Sequence, residues 1–229
     1  MHPIVLSGPS KNALGTAQMH HLLDELRRAD GAPLLLTGEG DAFCAGLDLN
    51  EVHGLDPAGM AAFLDLLGDL VEALFYYPGP TAVAVQGHAI AGGAILALVC
   101  DRRFGATDPR PRFGLTEVAL GLTFPPRLLT IVQRCVPAQH QVEVLLGAQV
   151  HSLPRAAALG LLDALADDPV AEAKAWLAQV ATHPPGAYAA AKAALRPRQT
   201  VDEAAWRQSG LPAWTSDALK ARIARFARR

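Results

Sequence analysis

The sequence predicts an α/β fold followed by a helical C-terminal region, and three observations predict it. Over the first half, short apolar or β-branched runs alternate with segments of helical spacing. From Pro126 onward the spacing is mostly helical. Of the 229 residues 51% are apolar and 18% charged, enough for one domain with a sizeable core.

Taken in order, Ile4–Ser7 reads as a minimal strand, followed by a turn at Gly8-Pro9-Ser10. Thr16 is placed to cap a helix running to about Ala29, with Met19, Leu22, Leu23 and Leu26 on one face. Gly31-Ala32-Pro33 breaks it. Leu34–Thr37 is a continuous apolar run of the kind found in buried strands. A loop, Gly38-Glu39-Gly40-Asp41, leads into Ala42–Leu49. From Asp56-Pro57 a long helix extends to about Tyr77, with Met60, Phe63, Leu64, Leu67, Leu70, Val71 and Leu74 recurring at helical spacing. Pro78-Gly79-Pro80 ends it.

The stretch Thr81–Asp101 organises the rest. Thr81, Val83 and Val85 alternate as in a short buried strand, which breaks at Gln86-Gly87-His88. The pair Gly92-Gly93 then precedes an apolar helix, Ala94–Val99. A glycine turn at a helix start leaves backbone N–H groups free to hold an anion or a developing oxyanion. A glycine pair there serves close packing equally well. Extended runs follow at Arg103–Ala106 and Arg112–Leu115, around a turn at Asp108-Pro109-Arg110-Pro111. Helices are expected at 126–135, 138–147, 154–160, 169–182 and 215–228. Breaks fall at Pro184-Pro185-Gly186 and Arg196-Pro197.

The formal net charge of −2 gives no support to nucleic-acid or membrane-surface binding. Cys44, Cys100 and Cys135 sit in apolar runs at unrelated spacings, as reduced cytosolic thiols do. No signal peptide and no apolar run of membrane-spanning length is read, so the expected location is cytoplasmic. The eight histidines show no ligand spacing, and no metal is expected.

Two segments resemble the signatures of the crotonase (enoyl-CoA hydratase/isomerase) superfamily. The first is Leu34–Gly38 with Ala42-Phe43-Cys44-Ala45-Gly46-Leu47-Asp48-Leu49. The second is Gln86-Gly87-His88-Ala89-Ile90-Ala91-Gly92-Gly93 with Cys100-Asp101 downstream. Asn12-Ala13-Leu14, Phe113–Glu117, Leu120-Gly121, Ala156–Leu162 and the closing Ser216-Asp217-Ala218 with Arg225-Phe226 match in the right order. The resemblance implies a crotonase-like ββα spiral core over 1–165 and a C-terminal helical trimerisation region over 166–229. It also implies a homotrimer or a hexamer of paired trimers.

The implied substrate is an acyl-CoA thioester, with CoA as part of the substrate and no separate cofactor. The resemblance carries the two oxyanion donors to the backbone N–H groups of Leu47 and Gly92. Two preorganised donors aimed at the enolate oxygen contribute about 3 kcal/mol each in a water-poor pocket. It assigns substrate contacts to Ala45, Gly46 and Gly93; Lys11 is a candidate CoA phosphate contact, or a solvated surface lysine. His88, beside the oxyanion turn, is a candidate thioester contact, or a structural histidine. Tyr76 and Tyr77 are candidate walls for the acyl pocket, or packing residues.

Hydratases of this superfamily use two glutamates. The first position is Ile95 here, and the second is Glu117. A single carboxylate suffices to take a proton from C2 of a 3-enoyl thioester and return it at C4. Leu122-Thr123-Phe124-Pro125 after Leu120-Gly121, and Ala91-Gly92-Gly93, resemble the Δ3,Δ2-enoyl-CoA isomerase branch. The expected activity is therefore enoyl-CoA isomerisation with Glu117 as shuttle. Decarboxylation or thioester hydrolysis on the same oxyanion hole, or an enoyl-CoA hydratase-like protein that binds acyl-CoA with little catalysis, are the alternatives. A further alternative for Glu117 is a surface pair with Arg112.

Overall fold

A computed structural model describes residues 1–226, the last two by their backbone alone. Strand β1 (His2–Leu6) leads through a short turn, α1 (Pro9–Asn12), into helix α2 (Thr16–Ala29). Three strand–strand–helix units follow. The first is β2 (Leu34–Gly38) and β3 (Ala42–Cys44) with α3 (Leu49–Gly54) and α4 (Pro57–Phe75). The second is β4 (Thr81–Val85) and β5 (His88–Ile90) with α5 (Gly92–Leu98). The third is β6 (Arg102–Ala106) and β7 (Arg112–Gly114) with α6 (Pro126–Cys135). Then come β8 (His151–Ser152), α7 (Leu153–Ala158) and β9 (Ala164–Ala166). Helices α8 (Pro169–Val180), α9 (Pro185–Leu195), α10 (Ala204–Ser209) and α11 (Asp217–Phe226) complete the described chain.

The first strand of each unit joins a five-stranded parallel sheet, ordered β1-β2-β4-β6-β9. The second joins a four-stranded sheet, β3-β5-β7-β8, in which the last pair is antiparallel. Each unit thus crosses from one sheet to the other before a helix returns it. That is the ββα spiral expected, with helices after it. Strand β4 is buried along its whole length, which accounts for the apolar run from Ala82 to Val85 after Thr81. The apolar stripes of α2 and α4 face each other over the sheet, and Met19, Leu22, Met60, Phe63, Leu67 and Leu70 are all buried. Helix α8 adds Ala173 and Leu177 against Leu35, Ala82, Ala84 and Phe104, so the helical region shares the sheet's core. No helix among the described residues is long and apolar enough to cross a membrane.

Several local expectations are corrected. Thr16 is not a cap: its N–H and hydroxyl both donate to the Glu51 carboxylate of α3, so the helix start is satisfied from another element. The break at Gln86-Gly87-His88 is a two-residue corner between sheets, and His88 already begins β5. A Cβ at Gly87 would lie 2.1 Å from the Asp41 carbonyl oxygen, which explains the glycine. A strand that changes sheet looks in sequence like a strand that ends. The helix expected over 138–147 is a 3-10 turn at Ala138–His140 and one π turn at Val142–Leu146. That wider turn sends Val144 and Leu145 inward and leaves Val142 and Leu146 exposed. The end of the helix expected over 215–228 and the side chains of Arg225 and Phe226 lie outside the described residues.

Candidate active site

The site is assembled where the crossings of the first two units meet the loop after β7. Residue Leu14 pairs with Leu47 as an isolated parallel bridge. The Leu14 N–H donates to the Gly46 oxygen (2.7 Å), and the Asp48 N–H donates to the Leu14 oxygen (2.9 Å). In such a bridge the residue between the two bonds turns its own N–H the other way. Accordingly the Leu47 N–H donates to no backbone carbonyl among the described residues. Asp48 caps α3, its carboxylate accepting the Asn50 and Glu51 N–H groups, as a residue of that type before a helix should.

The glycine pair has divided roles. A Cβ on Gly93 would lie 2.2 Å from the Cys44 carbonyl oxygen, so Gly93 is the close-packing glycine that seats α5 on β3. Gly92 lies beside Leu47, and a Cβ there would come within 3.2 Å of the Leu47 Cδ2 atom. The Ala91 N–H donates to the Gly114 oxygen (2.8 Å), whereas the Gly92 N–H has no backbone acceptor among the described residues. Ala91 itself holds φ 48° and ψ −118°, a conformation alanine seldom adopts, and it lines the cavity.

That cavity encloses about 260 Å³ and is almost wholly apolar. Ala45, Leu47, Ile90, Ala91, Thr116 and Glu117 form its inner side; Leu49, Val52, Leu120, Leu122, Val150, Trp214, Leu219 and Ile223 form the rest. A small cleft adjoins it, lined by Gly92, Ile95, Leu67, Phe124, Pro125 and Leu128. Leu47, Glu117 and Trp214 belong to both.

Glu117 is the one ionisable side chain in these linings. It is 6% exposed, and its Oε2 atom has no hydrogen-bond partner. Burial among apolar residues pushes its pKa up from 4.5 to about 7, against the opposing pull of the backbone at Glu117 and Thr116. The surface pair with Arg112 does not form: the Arg112 guanidinium donates to the carbonyls of Pro109, Arg110 and Pro111.

The remaining candidates are placed differently. His88 does not line the cavity; its Nδ1 accepts the Arg112 N–H at 3.2 Å, and burial lowers its pKa. Lys11 is exposed and pairs with Asp41 at 3.2 Å. Gly46, with φ 99°, carries the chain into the Leu47 bridge. Tyr76 and Tyr77 belong to a separate hollow beside Lys192, Arg196 and Arg198, and the Tyr77 hydroxyl donates to the Ala32 oxygen. Sequence reasoning missed Trp214, Leu219, Ile223 and Val150. They come from distant segments, and no periodicity marks them as walls of one cavity.

The family model for enoyl-CoA hydratase/isomerase matches residues 2–212. The chain belongs to the enoyl-CoA hydratase/isomerase family. A "probable enoyl-CoA hydratase echA17" from Mycobacterium avium is 32% identical over 196 residues, covering 83% of this chain and 76% of its own. A "probable enoyl-CoA hydratase echA6" from Mycobacterium bovis is 32% identical over 226 residues, 96% of this chain and 89% of its own. The crystal structure of human mitochondrial Δ3,Δ2-enoyl-CoA isomerase superposes with a TM-score of 0.85 over 99% of this chain and 95% of its own. At 24% identity that likeness speaks for the fold alone. Membership of this enzyme family places the chemistry among reactions of enoyl-CoA thioesters.

Proposed function

We propose that the chain is an enoyl-CoA isomerase that moves a 3-enoyl-CoA double bond to the 2-position. Glu117 takes the proton from C2. The electrons of that C–H bond form a dienolate whose charge rests on the thioester oxygen, held by the Leu47 and Gly92 N–H groups. The same carboxyl then returns the proton to C4, and the double bond ends between C2 and C3. The observation that carries the reading is Glu117 itself, buried with its Oε2 atom unpartnered on a cavity that Leu47 shares, with Ile95 in the lining of the adjoining cleft. An apolar residue at 95 leaves no second carboxylate to position and split water. Ala45, Gly46 and Gly93 belong to this proposal as the backbone frame of the substrate site, Lys11 as a phosphate contact, and a trimer or hexamer as the working assembly.

The names of the echA17 and echA6 relatives favour a second, hydratase-like reading. Product analysis separates the two. With 3-hexenoyl-CoA the expected product is 2-hexenoyl-CoA, without 3-hydroxyhexanoyl-CoA. The base must be ionised to accept the proton, so the rate should rise with pH and level off above about 7. Formation of the 3-hydroxyacyl product from 2-hexenoyl-CoA would establish the hydratase reading instead. Binding without either product would favour an acyl-CoA-binding role.

A further inference from the structure

The two proposed donor N–H groups are aimed by the same device. In a trans peptide the N–H and the preceding carbonyl point in opposite directions. The Gly46 oxygen accepts the Leu14 N–H at 2.7 Å, which turns the Leu47 N–H away from Leu14. The Ala91 oxygen accepts the Ile95 N–H at 2.9 Å within α5, which turns the Gly92 N–H out of the helix. Each donor also follows a residue of positive φ, Gly46 at 99° and Ala91 at 48°. The two turns touch. A Cβ on Gly46 would lie 2.9 Å from the Ile90 oxygen, 3.3 Å from the Ala91 Cβ and 3.7 Å from the Gly92 nitrogen.

The turns differ in one respect. Glycine adopts positive φ freely, so the Gly46 turn carries no side-chain strain. Ala91 holds φ 48° and ψ −118° with a methyl group present, a conformation that destabilises the folded chain. The Ala91 N–H is tied to the Gly114 oxygen at 2.8 Å, so the residue is held on both of its peptide groups. Its ψ sets the plane of the 91–92 peptide, and with it the direction of the Gly92 N–H. Ala91 lines the cavity together with Leu47 and with Glu117, whose buried Oε2 atom has no partner.

We infer that Ala91 is a positioning residue: its methyl group, set against the Gly46 turn, holds the 91–92 peptide so that the Gly92 N–H acts together with that of Leu47. The inference rests on the reading that a thioester oxygen is held by those two groups. Glycine at 91 relieves the strain and removes the methyl contact, so the 91–92 peptide is free to rotate and its N–H to swing off the oxygen. The strain is the stability given up for alignment.

Infrared spectra of bound hexanoyl-CoA, isotopically labelled at its carbonyl carbon, test this without requiring turnover. Hydrogen bonds to a thioester oxygen lower its C=O stretching frequency, so the wild-type band should lie below its position in water. In Ala91→Gly the band should move back toward the aqueous value. Turnover of 3-hexenoyl-CoA should fall about 10–100-fold, less than complete loss of a donor would cost. The denaturation midpoint should stay level or rise, because a positive-φ alanine has been replaced by glycine. Ala91→Ser, which keeps a Cβ at this position, should retain the wild-type band. An unmoved band in Ala91→Gly would overturn the positioning role. So would a moved band accompanied by a lowered midpoint, the pattern of a merely structural residue, or a serine band displaced as far as the glycine one. A wild-type band at its aqueous frequency would instead remove the oxyanion reading, and the inference with it.

Discussion

Glu117 is buried and the Asp101 side chain is 10% exposed, and the surroundings of these two acidic groups are opposite. Asp101 is enclosed by donors: the Thr81 N–H, the Tyr188 hydroxyl and the Lys192 ammonium on Oδ2, and the Arg196 guanidinium on Oδ1. Lys192 also donates to the Gly79 oxygen, and Arg196 to the oxygens of Phe75 and Val99. The cluster ties α9 to the ends of α4 and α5 and to the start of β4. Glu117 has apolar neighbours, a free Oε2 and a raised pKa. A buried carboxylate whose lone pairs are filled is part of the frame. One left unfilled can exchange a proton near neutral pH.

The largest effect that would sharpen this contrast lies at Asp101. Replacement by Asn strands Lys192 and Arg196 without their counter-charge, and should lower unfolding free energy by about 3–5 kcal/mol in denaturant titrations. A loss under about 1 kcal/mol would mean that the cluster does not hold the helical region as described.

Glu117→Gln should behave in the opposite sense. Between 4.5 and about 7 the folded state binds more protons at this site than the unfolded state, so wild-type stability falls as pH rises through that window. The Gln variant lacks this penalty. It should match the wild type near and below pH 4.5 and exceed it by up to ~3 kcal/mol above pH 7. Equal stabilities across the range would place the Glu117 pKa at its ordinary value. The smallest effect belongs to Asp48, whose carboxylate caps α3: Asp48→Ala should cost about 1 kcal/mol in denaturant titrations. A much larger loss would give this half-buried cap the structural weight assigned to Asp101.

The parts of the fold legible in the sequence are those specified by local pattern. The stripes of α2 and α4 and the apolar run of β4 declare their burial residue by residue, and Asp48 declares a cap by its position. The two glycines were legible as a pair, though not which one packs and which one faces the cavity. That depends on Cys44 and Leu47, brought near by another unit of the spiral. Thr16 failed as a cap because its partner is Glu51, 35 residues away. Nothing in the sequence singles out Lys192, because its partner Asp101 is 91 residues away. Glu117 was located by resemblance, but its isolation from Arg112 became visible only once the 108–112 turn had claimed that arginine for its own carbonyls. The C-terminal contribution to the cavity was least legible of all, since Trp214 reaches it alongside Thr123, 91 residues away.

The central claim is that Glu117 moves the proton, and the most direct measurement compares Glu117→Gln with the wild type on 3-hexenoyl-CoA, alongside the affinity of each for saturated hexanoyl-CoA. The shuttle role requires a fall in turnover of about 10²–10⁴-fold with the dissociation constant nearly unchanged. Turnover within about tenfold of the wild type, at equal affinity, would contradict it.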